Sequence, residues 1–569
     1  MERHILASLQ SIYAQAAASD DGQRCMVSPH PQLQERMQRE LAELLRDRPD
    51  LSAAQSMFRM GQTDRLGFND SIVVPPSELA LSAAPSVLRN PAVTRAPLHG
   101  TLRVAVVLVD FSDEQFDARN SRQHYHDLFF SQNVIPTKSV REYFHEVTGG
   151  LVTITGEVVG PLRLPRTMAA YANGASGTGD ARPNAGTMAR DTAQAANPVI
   201  NFNGFDNDSD GFVDAFVIVH AGRGAEVTGN PGEIWSHKWV LDGGVLPVDG
   251  TKIYAYLTVP EDARIGVCCH ELGHLLFGFP DLYDTDGSSS GVGNWCLMGG
   301  GSWGNGGLTP CHPSAWCKAV QGWVQVRNQT TTGVVSMSDV KQSRRVQRMW
   351  KSGAVSREYF LLENRRRTGF DVSLPGQGLL IWHIDENISS NANESRYKVA
   401  LVQADGRRDL EKNPSLGNRG DAGDTYPGSG NKRTFNNTST PNSRSYSGGT
   451  TNVSVTEITA IGSTIRAKLA VQPGALVAPQ SSDSAAVLEE LLQRLTAIEE
   501  RLVALSPAAP AAEEEEESRK EPLVSAAASL GHDGEQEVTI LPIKEGEIVP
   551  LGQLAGLERL QPVGEVEEA

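Results

Sequence analysis

The chain has 569 residues, 39% of them hydrophobic, with 55 Gly and 31 Pro. That leaves room for several domains and a large core joined by many loops. A formal net charge of −17 excludes non-specific nucleic-acid binding, and no run of about 18 apolar residues is present to span a membrane. Six cysteines are too few for a disulfide scaffold. Five of them (Cys268, Cys269, Cys296, Cys311, Cys317) fall in one region, which suits one or two disulfides outside the cell or a set of buried thiols.

Residues 1–96 read as a helical, polar leader. The apolar part of the N-terminus is broken by Gln10 and Gln15, which makes a poor signal peptide. Gln32 to Arg48 has helical spacing, and Pro75, Pro76, Pro85 and Pro91 mark the loops after it. From Leu102 to Phe111 a continuous apolar run predicts a buried strand. Ser139 followed by Glu142 predicts a capping box opening a helix, and Leu151 to Val159 a second strand. Strand, helix, strand suits an α/β core.

Asp206, Asp208, Asp210 and Asp214 alternate around Gly211. Carboxylates so spaced offer hard oxygen ligands to calcium. The stretch starts like an EF-hand loop, but Val217 stands where the closing Glu belongs, and Ala215 to Gly222 reads as a strand. The prediction is therefore a calcium loop capping a strand. His220 and His237 follow as cleft-lining or structural histidines.

His270-Glu271-Leu272-Gly273-His274 reads H-E-x-x-H. On a helix the two imidazoles share one face and can reach one metal ion, zinc by preference, with Glu271 beside them as general base. Gly278 can end that helix in a left-handed turn and Pro280 forbids its continuation. The returning chain brings Asp281 as the third ligand, with Asp284 and Tyr283 as alternatives. Downstream, Met298 sits in a Gly-rich turn, either as a floor to the metal site or as ordinary core.

H-E-L-G-H followed by F-P-D-L-Y-D and W-C-L-M-G-G-G-S-W resembles the immune inhibitor A-like family of secreted bacterial zinc metallopeptidases. S-V-R-E-Y-F, V-H-A-G-x-G, E-Y-F-L-L-E-N-R, G-L-L-I-W-H-I-D and G-D-A-G-D-T-Y-P-G extend the likeness over residues 100 to 470. The resemblance implies a metzincin-like zinc site, an extracellular location and an N-terminal prosegment, within which Cys25 falls. In the metzincin pattern the Gly stands three residues after the second His; here Gly278 stands four after His274. Asp281 thus comes one residue late, and a local bulge must restore its position.

Pro310 to Trp323 predicts a short helix. Beyond it lie strand signals at Glu358 to Asn364, Gly378 to Asp385, Lys398 to Gly406 and Val453 to Leu469, the texture of a β-sandwich. Asp421 and Asp424 could bind a second calcium. Leu488, Leu491, Leu495, Ile498, Leu502 and Leu505 form a heptad seam.

The expected fold is an α/β (α+β) zincin-type catalytic domain, then an all-β sandwich domain, then a short C-terminal coiled-coil helix with a disordered tail. Its divisions are a leader or propeptide (1–96), catalytic domain (97–330), sandwich (331–472), linker (473–484), helix (485–506) and acidic tail (507–569). The expected function is zinc-dependent endopeptidase acting on proteins or peptides, with homo-oligomers formed through 488–505. The alternative is an inactive homologue that binds partners through its sandwich and coiled coil.

Overall fold

The computed structural model describes residues 25–37, 39 and 97–471 apart from 286 and 415, with the backbone of two later strands. The heptad seam, the linker and the acidic run at 513–517 lie outside the described residues. So does the predicted helix over Gln32 to Arg48, except for a helical stretch at 31–37.

A six-stranded sheet organises the first half. Its strands are β1 (Cys25–Met26), β2 (Gly100–Asp110), β3 (Val152–Arg163), β4 (Phe216–His220), β5 (His237–Val240) and β8 (Ala255–Pro260), in the order β1-β5-β8-β4-β2-β3. A small hairpin, β6 (Leu246–Val248) and β7 (Thr251–Ile253), precedes β8. The four strands β3, β2, β4 and β8 run parallel, while β5 lies antiparallel to β8 and β1 antiparallel to β5.

The apolar run of β2 reflects burial on both faces. Leu102, Val104, Val106 and Leu108 enter one core, and Ala105, Val107, Val109 and Phe111 the other. Helices α1 (Arg122–Phe130) and α2 (Val140–Thr148) lie on the first face, and α3 (Ala185–Ala196) on the second. At α2 the Ser139 hydroxyl accepts the Glu142 N–H and the Glu142 carboxylate accepts the Ser139 N–H, completing the expected capping box.

Helix α4 (Ile265–Phe277) is buried along its whole length. It is apolar all round and so packs inside the core rather than across a surface. It ends at Gly278, whose φ of 60° is left-handed. Helix α5 (Ala315–Val320) follows.

The second half holds β9 (Gln325–Asn328), β10 (Gly333–Met337), β11 (Arg345–Trp350), β12 (Glu358–Arg365), β13 (Gly378–Asp385), β14 (Val399–Leu401), β15 (Val453–Ile461) and β16 (Thr464–Val471). They form a five-stranded sheet, β14-β13-β12-β11-β9, and a three-stranded one, β10-β16-β15. The stretch read as one strand from Val453 to Leu469 is a hairpin turning at Gly462, φ 59°.

Side-chain alternation divides β12 and β13 between two cores. Leu361, Leu380, Trp382 and Ile384 join the core that contains α4, and Phe360, Leu362, Leu379 and Ile381 face Val455, Ile465 and Leu469 of the small sheet. Met1–Val477 is one compact unit, and the core is continuous across the expected boundary at residue 330.

In Ala478–Ala569, a separate unit, β17 (Val524–Leu530) pairs antiparallel with β18 (Gln536–Pro542).

Candidate metal centre

Helix α4 places His270 and His274 one turn apart on one face, and their Nε2 atoms approach to 3.0 Å. After the Gly278 turn the chain folds back, and Asp281 Oδ1 lies 3.1 Å from His270 Nε2 and 3.3 Å from His274 Nε2. The one-residue excess after His274 is thus absorbed in the turn.

Each imidazole is oriented from its other nitrogen. His270 Nδ1–H donates to the Leu297 carbonyl at 3.0 Å and His274 Nδ1–H to the Phe279 carbonyl. Carbonyl oxygens only accept, so both Nε2 lone pairs are free to face the Asp281 carboxylate. Burial pushes the His274 pKa down, which favours the neutral, ligating form. Two neutral nitrogens and one carboxylate oxygen, buried and mutually within 4.8 Å, are a donor set that fits zinc with an open fourth position.

Glu271 lies beside this group. It is buried, and neither carboxylate oxygen accepts a well-formed hydrogen bond. Burial raises its pKa well above the usual range, the charges of Asp281 and Glu226 add to the rise, and the facing amides of Val27 and Lys238 oppose it. A carboxylate so placed is a strong proton acceptor.

Met298 lies beneath α4, where a Cβ added at Gly273 would come 2.9 Å from its Sδ. Leu282 N–H donates to the Met298 carbonyl at 2.7 Å, tying the turn to the segment that carries Asp281. Asp284 is outside the three-residue group, and its Oδ2 accepts from Ser288 Oγ at 2.9 Å and Ser289 Oγ at 2.6 Å. Tyr283 is buried.

The edge of the sheet nearest the metal group is covered. β1 pairs with β5, Cys25 opposite Lys238 and Met26 opposite His237. Val27 N–H donates to the Ser236 carbonyl at 3.2 Å. The Trp235 indole donates to the Val27 carbonyl at 2.9 Å, and the Trp303 indole to the Ser28 carbonyl at 2.8 Å. His30 N–H reaches the Glu226 carbonyl at 2.8 Å.

The Glu226 carboxylate accepts from Ser236 N–H at 3.1 Å and Ser236 Oγ at 2.7 Å, where the chain enters β5. Burial raises its pKa to about 7. Glu226 stands two residues past the V-H-A-G-R-G run and belongs to no motif of its own.

His220 and His237 stand apart from the metal group. His220 Nδ1–H donates to the Ala221 carbonyl, and burial lowers its pKa to about 4. His237 bridges the Trp235 carbonyl and the Tyr256 hydroxyl.

Asp206, Asp208 and Asp210 bring one oxygen each within 4.8 Å of one another. Asp214 is not in that group; it is buried, and its Oδ2 accepts the Asn207 N–H at 2.5 Å. Asp405 joins Asp421 and Asp424 in a second acidic group. Cys268, Cys269, Cys296, Cys311 and Cys317 are buried free thiols.

Residues 100–330 match the family described as immune inhibitor A peptidase M6, catalytic domain. A pre-pro-metalloprotease, PrtV, of Vibrio cholerae serotype O1 is 31% identical over 274 residues, covering 38% of this chain and 29% of that protein. Immune inhibitor A of Bacillus thuringiensis subsp. alesti is 28% identical over 250 residues, 35% of this chain and 36% of that protein. The chain therefore spans about a third of the length of these curated relatives. With H-E-x-x-H on a buried helix and Asp281 folded back onto it, residues 100–330 are similar to the catalytic domain of the immune inhibitor A peptidase M6 family.

Proposed function

We propose that the protein is a zinc-dependent endopeptidase that hydrolyses peptide bonds of proteins. The observation that carries this reading is the convergence of His270 Nε2, His274 Nε2 and Asp281 Oδ1 beside the buried Glu271. Zinc, when bound there, supplies Lewis-acid polarisation of the substrate carbonyl and of the attacking water. Glu271 takes the proton from that water and returns it to the leaving amine; its raised proton affinity suits both transfers. With β1 displaced, the backbone edge of β5 would hold an extended substrate strand as it holds β1.

Residues 1–96 act as a leader whose Met26-Val27-Ser28 segment fills that edge, so removing or displacing it opens the site. Calcium at Asp206, Asp208 and Asp210, with Asp214 supporting the loop, steadies the entry to β4. Secretion and self-association through 488–505 complete the proposal.

Zinc content of the purified protein, together with casein hydrolysis before and after displacement of the leader, tests the reading. Stoichiometric zinc and hydrolysis blocked by phenanthroline are expected. Bound zinc without any hydrolysis would favour the inactive homologue, a binding protein, over the peptidase.

A further inference from the structure

The metal group belongs to residues 270–281, yet its support is anchored by a buried side chain of the five-stranded sheet. Arg365, the last residue of β12, is fully buried. Its guanidinium forms a two-pronged pair with Asp371, Nε to Oδ2 at 2.7 Å and Nη2 to Oδ1. The remaining N–H groups reach back into the metal-binding half. Nη1–H donates to the Trp295 carbonyl at 3.4 Å and Nη2–H to the His312 carbonyl at 3.3 Å.

Those two carbonyls stand at either end of the segment that floors the metal group. Between them lie Leu297, whose carbonyl orients His270, and Met298, beneath α4. The two ends are also joined directly, since Leu297 N–H donates to the His312 carbonyl at 3.4 Å. Asp371 strengthens the clamp by accepting the His312 N–H at 2.9 Å. Lys341 Nζ sits 3.2 Å from the same carboxylate and Glu363 Oε1 3.4 Å from Arg365 Nη1, so neither charge is left uncompensated.

We infer that Arg365, held by Asp371, is a positioning residue for the metal centre: it fixes the 295–312 segment and through the Leu297 carbonyl sets the aim of His270. The inference rests on the metal-centre reading above. It goes beyond it by assigning part of the ligand geometry to a residue outside the matched region 100–330. Arg365 is tied to that segment by hydrogen-bond directionality as well as charge. A lysine could keep the charge opposite Asp371 but not the planar fork that reaches both carbonyls.

The test is chelator competition for zinc, and the visible spectrum of the cobalt-substituted full chain, in wild type, Arg365→Lys and the double variant Arg365→Met/Asp371→Asn. The double variant removes both buried charges together, so it folds even where Arg365→Met alone does not. Loss of an outer support of a metal-ligating histidine commonly weakens metal binding by roughly 10–100-fold. The expected result is about a tenfold or greater loss of zinc affinity in the double variant, a smaller loss in Arg365→Lys, and an altered cobalt spectrum in both. Leu362→Ala, which thins the core under the small sheet, is the control for destabilisation. It should lower the melting temperature with zinc affinity unchanged.

Wild-type affinity and spectrum in both Arg365 variants would overturn the inference. So would an equal loss of affinity in Leu362→Ala, which would make the effect one of general stability. If wild-type protein itself binds no zinc, the metal-centre reading fails, and that failure is read before any variant is compared.

Discussion

Glu226 carries a stability cost that a single substitution should expose. Its carboxyl is fully buried between the short helical turn Ala225–Thr228 and the start of β5. Ser236 N–H and Oγ are its hydrogen-bond donors, while Asp262 is a like charge nearby and Glu271 feels Glu226 in turn. Burial, the largest influence, lifts the pKa from 4.5 to about 7. A folded-state pKa above the unfolded value means that the native protein holds a proton the unfolded chain releases. Stability from this group is then full below about 4.5 and is lost as the pH rises through about 7. At about 1.4 kcal/mol for each tenfold change in proton affinity, the loss amounts to about 3 kcal/mol.

Glu226→Gln presents one acceptor and one donor, as the protonated carboxyl does, so the Ser236 contacts can persist. The variant should match wild type near pH 4.5 and exceed it by up to about 3 kcal/mol at pH 8. Denaturant unfolding of both proteins from pH 4.5 to 8 measures this. A difference that does not change with pH, or a variant less stable than wild type at pH 8, would refute the argument.

Glu271→Gln should bind zinc normally and lose roughly 10²–10⁴-fold in casein hydrolysis; a wild-type rate would show that the base lies elsewhere. Asp281→Ala should weaken zinc binding strongly and Asp284→Ala far less, since Asp284 is held by Ser288 and Ser289; zinc titration giving the reverse order would move the third ligand. Calcium removal should lower the melting temperature, by the equivalent of about 2.7 kcal/mol when the ion had been present at roughly a hundred times its dissociation constant; an unchanged melting temperature in protein verified as calcium-loaded would dismiss that site. Val27→Asp puts a carboxylate into the hydrophobic core where the Val27 side chain docks the segment. It should raise hydrolysis of a short peptide about tenfold for each 1.4 kcal/mol of segment docking lost, and an unchanged rate would separate the leader from the cleft.

The metal helix was legible because its chemistry is local. Two histidines four apart, a helix-ending Gly and a Pro are statements about neighbours in sequence. The capping box at Ser139 and the double-sided strand β2 were legible for the same reason. Asp281 was less so: one extra residue after His274 had to be absorbed somewhere, and spacing alone does not say where. Asp214 was counted with its three neighbours by pattern; its Oδ2 accepts the Asn207 N–H, a contact that spacing does not encode. Strands β9, β10 and β11 were missed because their stretches mix Gln, Arg and Ser with the apolar residues, and β10 also relies on β16 far along the chain. Glu226 and Arg365 gave no motif at all. Their meaning lies in what other segments bring to them, which a one-dimensional pattern does not encode.

Strands β12 and β13, buried on both faces, tie the two halves of Met1–Val477 together. Cutting the chain near residue 330 would strip Leu361, Leu380, Trp382 and Ile384 from the core that contains α4, and would part α5 from β12 and β13, on which it packs. The released sheet would in turn present those side chains to water, each worth ~1.5–3 kcal/mol on burial. Each fragment should therefore be less stable than the intact unit. The stretch that matches the family model is thus shorter than the body of side chains that supports it.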